Sequence, residues 1–228
     1  MLNIANEMAG ITAGAFTQDN QLIGFVFGIT GIRHEKLAHW SDMLAVYPEF
    51  RGTGIGQQLK RFQREHLLKQ NINTMYWTYD PLEAPNANLN WNHLGVKLEQ
   101  YIPNMYGDTT SPMHSGLPTD RMLVEWQLHS DHTTQILEGN HPYANFDFTD
   151  SPIINLESDS KFPDSETVLI EIPANIQNIK QQSMDLAMQW RLRTRQAFQH
   201  YLSQDIAPIS FLRRADGRCF YALTKKDS

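Results

Sequence analysis

A loop rich in glycine is the part of this sequence best suited to chemistry. Its residues run in the order Arg51, Gly52, Thr53, Gly54, Ile55 and Gly56. If a strand precedes this loop and a helix follows it, the first helical N–H groups lack intrahelical partners and face the loop at the positive end of the helix dipole. Glycines let an oxyanion approach that backbone closely, and an arginine adds a bidentate donor. The arrangement predicts a site for a phosphate or pyrophosphate group.

The elements that must position this loop can be predicted from the pattern of apolar residues. Two short strands, residues 11–16 and 22–29, join across Asp19-Asn20 as a hairpin, and residues 40–46 form the strand that enters the loop. A helix then begins, with Ile55, Leu59, Phe62 and His66 on its apolar face. Further along, we predict a strand, a short helix, and two more strands, at residues 74–79, 86–94, 96–102 and 122–128.

Three kinds of phosphate-binding loop compete for the glycine segment. A P-loop needs Lys followed by Ser or Thr after its glycines, and neither pair occurs here. A dinucleotide-binding fold needs G-x-G-x-x-G, which the alternating glycines do not match. The third pattern, Arg-x-x-Gly-x-Gly after a strand and a proline, fits residues 51–56, with Pro48 before them. This segment resembles the acetyl-CoA-binding motif of the GCN5-related N-acetyltransferase (GNAT) superfamily.

The resemblance covers most of the chain and is weakest between residues 129 and 166. The order of predicted elements is similar to that of the family, and the segments 43–46, 77–84, 116–121 and 168–173 resemble an uncharacterised bacterial branch of it. The resemblance implies an α/β (α+β) fold, with a mixed, mostly antiparallel sheet flanked by helices and a C-terminal αβ extension. It also implies acetyl-CoA as the cosubstrate and transfer of its acyl group to a small molecule that carries an amine.

The same resemblance assigns roles to individual residues. The backbone N–H groups of Gly52, Gly54 and Gly56 would bind the pyrophosphate, together with the intervening Thr53 and Ile55 and with Arg51. Leu44, Ala45 and Val46 would hydrogen-bond the pantetheine arm, and a splay between their strand and residues 74–79 would expose the thioester. Asn86 would take the place of the asparagine by which the family's short helix contacts the cofactor.

Transfer to an amine also requires a base, because the amine must lose a proton before it attacks the thioester. Asp80 and Glu83 follow the end of a predicted strand, where functional groups of α/β proteins commonly lie, and Asp42 lies inside the strand before the loop. We predict Asp80 and Glu83 as the catalytic carboxylates and Asp42 as the next candidate. Each also has a structural interpretation: Asp80 as a turn residue before Pro81, and Glu83 as a solvated helix start.

One position departs from the family pattern. Many members carry a tyrosine, acting as general acid, four residues before the glycine that ends the short helix, and here Trp91 stands four residues before Gly95. An indole is a poor proton donor to a thiolate. The alternative function is therefore a non-catalytic acyl-CoA-binding or regulatory protein that keeps the cofactor loop. A protein-interaction module is a third interpretation, although it leaves the loop unexplained.

Composition divides the chain into three parts. We predict an acyl-CoA-binding core at residues 1–128, an acidic connector without regular structure at 129–166, and a β-α-β-β extension at 167–228. The core begins almost at the first hairpin, whereas the family places a strand and helices before it. We expect either a start codon assigned too late, which we favour, or a C-terminal part that supplies what is missing. The exposed strand edge that a late start would leave favours aggregation or a homodimer.

Charge and composition exclude several other classes of protein. The 228 residues carry a formal net charge of −6, which argues against a nucleic-acid partner. Apolar runs are too short for a membrane span, no signal peptide is recognisable, and the one cysteine cannot form an internal disulfide, so we expect a cytoplasmic protein. We interpret His39 as a packed or exposed strand histidine, His66 as a packed side chain and the pair His129 and His132 as solvated, and we predict no metal site.

Overall fold

A computed structural model describes residues 10–107, 116–158 and 161–225 of the chain. Within these ranges the chain forms two sheets and the helices that pack against them. The strands are β1 (Ile11–Phe16), β2 (Leu22–Arg33), β3 (Lys36–Val46), β4 (Thr74–Tyr79), β5 (Lys97–Ile102), β6 (Arg121–Gln127), β7 (Ile153–Ile154), β8 (Thr167–Ile172), β9 (Ile206–Arg213) and β10 (Cys219–Lys225). The α-helices are α1 (Ile55–Lys69), α2 (Ala84–Asn88), α3 (Asp131–Leu137), α4 (Ile176–Gln182) and α5 (Met184–Leu202).

The first sheet has six strands in the order β1-β2-β3-β4-β6-β5. Every pairing in it is antiparallel except that of β3 with β4, which is parallel. The parallel pair is the place where α1 connects neighbouring strands, since a parallel crossover needs a connection of this length. The predicted fold class, a mixed and mostly antiparallel sheet flanked by helices, is confirmed.

Helix α1 buries a different face from the one its apolar residues predict. Its buried residues are Leu59, Lys60, Gln63 and Leu67, whereas Phe62 is 41% exposed and stacks on the half-buried His66. The predicted face, with Phe62 and His66 inward, is therefore wrong. The physical reason lies under the helix, where the sheet presents the buried polar side chains of His39 and Ser41, and these take polar partners from α1.

The second sheet has four strands in the order β7-β8-β10-β9 and is covered by α5. Strands β8 to β10 and helix α5 correspond to the β-α-β-β extension that the sequence predicts, and the prediction missed α4. The acidic segment 129–166 also holds regular structure that the sequence did not predict. Ser130 caps α3 by accepting a hydrogen bond from the Thr133 N–H, and β7 pairs with β8 in parallel.

The two sheets share one hydrophobic core. It extends from Trp77 and Trp126 on the first sheet to Phe198 on α5 and Tyr221 on the second sheet. Polar contacts reinforce this junction: Asn92 makes two hydrogen bonds to the backbone of Phe211, as a neighbouring strand would. The expectations about the start of the chain fall on residues 1–9, outside the described residues.

Among the described residues, no helix is both long and apolar enough to cross a bilayer.

Candidate active site

The glycine loop turns directly into α1, with Gly54 as the residue before the helix. Gly52 and Gly54 have φ of +78° and +88°, which residues with a side chain rarely adopt, and a Cβ atom at either position would have no neighbour within 4 Å. No side chain caps the helix start, so its first N–H groups remain directed at the loop. The loop therefore presents an open surface of backbone donors, as an anion-binding loop requires.

The remaining residues of the loop fix its shape. Thr53 Oγ1 donates to the carbonyl of Phe50 at 2.6 Å, and Arg51 Nε donates to the carbonyl of Val46 at 3.1 Å. Arg51 is exposed, and this bond ties the loop to the end of β3. Gly56 lies close to β3 as well, because a Cβ there would be 3.8 Å from Leu44 Cδ2.

Strands β3 and β4 separate beside this loop. They pair at His39 with Met75 and at Trp40 with Tyr76, and no further pair forms within these fully described strands. The last part of β3, residues 44–46, pairs with β2 along one edge. Along its other edge, no strand of the described residues pairs with it. Met43 and Ser41 pair with Phe27 and Gly28, so Asp42 between them is an extra, bulged residue. The predicted splay is therefore present in the structure.

A cavity of about 350 Å³ lies where the two strands separate. This volume falls in the range typical of sites for small molecules. It is lined by Trp40, Ser41, Asp42, Thr78, Tyr79, Asp80, Glu83, Asn86, Tyr106, Leu117, Pro118, Thr119, Arg121, Ile176, Gln177, Lys180 and Arg191. All three predicted carboxylates and Asn86 are among these residues, and the C-terminal helices α4 and α5 form one wall.

Asp80 already uses both of its carboxylate oxygens. Oδ2 accepts from Arg191 Nη2 at 2.5 Å, and Oδ1 accepts from the Leu82 N–H at 2.8 Å. The side chain of Arg191 is 1% exposed. Burial alone would lower the pKa of Arg191, but the charge and hydrogen bond of Asp80 outweigh it and raise the pKa above its usual value. The bond from the Leu82 N–H fits the structural interpretation of Asp80 as a turn residue, and the ion pair with Arg191 adds a structural role that the sequence did not show.

Glu83 and Asp42 are more open to the cavity. Glu83 is half-buried and accepts one hydrogen bond, from Gln177 Nε2 to its Oε1 at 2.5 Å. Asp42 is exposed and accepts from Trp40 Nε1 at 3.2 Å. Asn86 is also exposed and lies on the short helix α2. Each of these carboxylates therefore keeps an oxygen that could take a proton from a bound amine.

Trp91 hydrogen-bonds to Tyr79 and is not among the residues that line the cavity. It is 2% exposed, lies in the π-helical turn Leu89–Leu94, and donates from Nε1 to the Tyr79 hydroxyl at 2.8 Å. Tyr79 is itself buried, lines the cavity, and contacts the hydroxyl of Tyr221 at 3.3 Å. Burial raises the pKa of Tyr79, so its hydroxyl stays protonated at neutral pH. The sequence analysis missed Tyr79, and the only signal for it was the need of a buried indole N–H for an acceptor.

A buried polar network lies beneath the cavity, between α1 and β3. Lys60 Nζ donates to Ser41 Oγ at 2.7 Å and lies 3.7 Å from the ring of Trp77, and Ser41 Oγ donates to Gln63 at 2.9 Å. Burial lowers the pKa of Lys60 well below its usual value. The apolar face predicted for this helix does not include Lys60 or Gln63, so this network was missed.

His39 completes this network and is packed, which is one of the two alternatives that the sequence left open. Gln63 Nε2 lies 3.4 Å from His39 Nε2, and His39 Nδ1 lies 3.0 Å from Thr30 Oγ1, which fits a neutral ring that carries its proton on Nδ1. Burial, and next the charge of Lys60, lower the pKa of His39 to about 4. His39 is therefore a poor general base at neutral pH, because its pKa is low and both ring nitrogens already have hydrogen-bond partners.

The other predicted histidines play no part in this cavity. His129 is exposed, and the half-buried His132 lies in α3 with its ring 6.4 Å from that of Tyr143. No group of three or more His, Cys, Asp or Glu side chains that could hold a metal ion occurs in the described parts of the chain.

Comparisons with known proteins show which family the N-terminal part is similar to. Residues 5–89 match the family model described as acetyltransferase (GNAT) family. A comparison with curated proteins gave no match.

Solved structures that are similar to the chain share little sequence with it. The putative acetyltransferase yncA from Salmonella typhimurium is 15% identical, with a TM-score of 0.44 over 56% of this chain and 70% of its own. A GNAT family acetyltransferase from Elizabethkingia anophelis is 16% identical, with a TM-score of 0.44 over 56% of this chain and 83% of its own. The ribosomal-protein-alanine N-acetyltransferase from Brucella melitensis is also 16% identical, with a TM-score of 0.46 over 54% of this chain and 72% of its own. The matched segment contains the glycine loop, β3, β4 and the predicted carboxylates, so it is residues 5–89 that are similar to the acetyltransferase (GNAT) family.

Proposed function

We propose that this protein transfers an acetyl group from acetyl-CoA to the amine of a small molecule. The observation that carries the proposal is the open loop at Gly52 and Gly54, which lies next to a strand edge with which no other strand of the described residues pairs. The loop and the start of α1 offer N–H groups to a pyrophosphate, and residues 44–46 offer backbone groups to a pantetheine arm. Arg51 lies at the rim of the same loop, where its remaining N–H groups can reach a phosphate.

The cavity offers the groups that the acceptor requires. Acetyl-CoA supplies the thioester, and the chain must orient the amine and take its proton. We propose Glu83 as the base, because one of its oxygens has no hydrogen-bond partner among the described residues, whereas both oxygens of Asp80 have partners. Asp80 then acts by holding Arg191 and the C-terminal helices against the cavity. Asp42 is the second candidate for the base.

Binding of coenzyme A is the first test. At a concentration one hundred times its dissociation constant, a ligand stabilises the folded state by about 2.7 kcal/mol. For a chain of this size that corresponds to a rise of roughly 5–10 °C in the melting temperature. Gly54→Glu should remove most of the rise, because it places a carboxylate where the pyrophosphate would lie.

A matched control separates charge from backbone strain. Gly217 has φ of +84°, a Cβ there would also have no neighbour within 4 Å, and it lies in the turn between β9 and β10. Gly217→Glu should therefore carry the same strain and keep the full rise with coenzyme A. If folded wild-type protein shows no rise, the proposal fails.

A non-catalytic acyl-CoA-binding protein is the second candidate function. It is favoured by Trp91, whose N–H is committed to Tyr79. Release of free thiol from acetyl-CoA in the presence of amines decides between the two functions. Pairing of two copies through the free edge of β1 stays a prediction, which sedimentation would test.

A further inference from the structure

The cavity carries charges of both signs, and most of them are supplied by residues far apart in the sequence. Three carboxylates line it, and so do three cationic side chains, Arg121, Lys180 and Arg191. Asp80 and Arg191 form an ion pair with each other. Two carboxylates, Asp42 and Glu83, and two cations, Arg121 and Lys180, therefore line a cavity large enough for a small molecule, and among the described residues no ion pair joins them.

The two cations have no acidic partner among the described residues. Within residues 10–107, 116–158 and 161–225, no ion pair and no hydrogen bond involves the ammonium group of Lys180 or the guanidinium of Arg121. Arg121 lies over the ring of Tyr106, with its Cζ 5.3 Å from the ring centroid, and its Nε is buried without a hydrogen-bond acceptor. A guanidinium N–H is rarely buried without an acceptor, because an unmet buried donor costs free energy.

Arg191 provides a second, independent indication. Only its Nη2 atom has a partner, and its Nε and Nη1 atoms are buried without an acceptor, although the residue is 99% buried and lines the cavity. Guanidinium groups bind carboxylates with two parallel hydrogen bonds. A carboxylate in this part of the cavity would supply hydrogen-bond acceptors for Nε and Nη1 of Arg191, which the described residues do not.

We propose that the acceptor is a small zwitterionic amino acid, with its amine directed to Glu83 and Asp42 and its carboxylate to Arg121 and Lys180. This inference rests on the proposed function, since it names the substrate class of that site. Because the cavity has equal numbers of positive and negative groups, a ligand with one charge of each sign leaves none of the four unpaired. Lys180 lies on α4, so the C-terminal part of the chain is a specificity element of the N-terminal active site.

The test compares amines that differ only in the carboxylate. Glycine, β-alanine, L-leucine and L-phenylalanine are each compared with their carboxamides at pH 7.5, with saturating acetyl-CoA and detection of free thiol. The carboxamides are less basic, so a larger fraction of each is the neutral, nucleophilic amine at this pH. A preference for an acid therefore cannot come from intrinsic reactivity, and we expect kcat/KM to be at least tenfold higher for at least one of the acids.

Variants then connect the preference to the two cations. Lys180→Gln and Arg121→Gln should each raise KM for the preferred acid about tenfold or more, while kcat/KM for its carboxamide changes less than twofold. Lys69→Gln is the control, because Lys69 is an exposed lysine at the end of α1 and does not line the cavity. It should change neither value.

The outcomes separate this inference from the proposed function. Equal use of acids and carboxamides, or acetyl transfer only to amines without a carboxylate, overturns the inference and leaves the acetyltransferase proposal intact. Binding of coenzyme A without transfer to any of the four acids also overturns it. Loss of coenzyme A binding in the melting experiment would instead overturn the proposed function itself.

Discussion

The ion pair between Asp80 and Arg191 allows a structural carboxylate to be distinguished from a catalytic one. Asp80→Asn keeps the shape of the side chain and removes the charge that balances a guanidinium with 1% exposure. Removing one partner of a buried pair typically costs about 3–5 kcal/mol, and since Asp80 is 23% exposed we expect the lower end, about 3 kcal/mol. Glu83→Gln lies in the same cavity without such a pair and should change stability by less than about 0.5 kcal/mol.

Urea denaturation followed by tryptophan fluorescence measures these differences. Arg191→Met in the Asp80→Asn background removes the unpaired charge, so the double variant should recover most of the lost stability. Turnover of the folded protein gives the complementary result. Glu83→Gln should lower it by about a hundredfold or more, the usual contribution of a positioned base, while Asp80→Asn at a temperature where it is folded should lose much less.

Two outcomes would contradict this assignment of roles to Asp80 and Glu83. If Asp80→Asn is as stable as the wild type and loses its turnover, the ion pair is not structural and Asp80 is the base. If both single variants keep wild-type turnover with a confirmed acceptor, neither carboxylate is the base, and Asp42 becomes the candidate.

Two further predictions concern the layer beneath the cavity. Between pH 6.5 and about 4 the unfolded chain binds a proton at His39 that the folded chain does not, so the free energy of unfolding should fall as pH falls through this window, by up to about 3 kcal/mol for this residue. Urea denaturation of wild type and His39→Gln over pH 7.5–4 measures it, and equal slopes in the two proteins would contradict it. Gly28→Ala would place a methyl group 2.2 Å from His39 Nε2 and 2.6 Å from the Trp40 carbonyl oxygen, so it should destabilise the fold by about 1–3 kcal/mol. Gly31→Ala, on the same strand with no atom within 4 Å, should change it by less than about 0.5 kcal/mol, and similar thermal melts of the two variants would refute the packing argument.

The local elements of the N-terminal part could be predicted because their signals are local. The residues 74–79 strand and the start of α1 at Ile55 are where the sequence pattern indicates them, and Gly95 ends the short helical segment with φ of +71°. Each of these depends on a few neighbouring residues, such as a glycine that can adopt positive φ. The glycine loop could be found for the same reason.

The orientation of α1 could not be predicted, because it is decided by residues outside the helix. Periodicity alone places Phe62 inward, yet Lys60 and Gln63 occupy the interior. Their partners, His39 and Ser41, lie on β3, and nothing in the sequence of the helix records that they need hydrogen bonds. Lysine is rarely buried, so composition and periodicity favour a surface position for Lys60, and the structure shows the opposite.

The cavity wall could not be predicted either, since it depends on how the second sheet packs against the first. Arg191 lies 111 residues after Asp80, and Gln177 lies 94 residues after Glu83. No local pattern connects these residues. The sequence identified the carboxylates but not the partners that separate their roles.

The contacts that hold the two sheets together are the same ones that shape the cavity. Arg191 joins α5 to Asp80, and the Tyr221 hydroxyl donates to the Pro81 carbonyl at 2.8 Å, so the residues after β4 are held directly by the C-terminal part. A ligand that satisfies the free N–H groups of Arg191 would also strengthen this junction, because it would remove an unmet cost of burying that side chain. Under the proposed function, acceptor binding and packing of the C-terminal part are therefore coupled. Removal of the C-terminal part would also remove one wall of the cavity, which is formed by residues of α4 and α5.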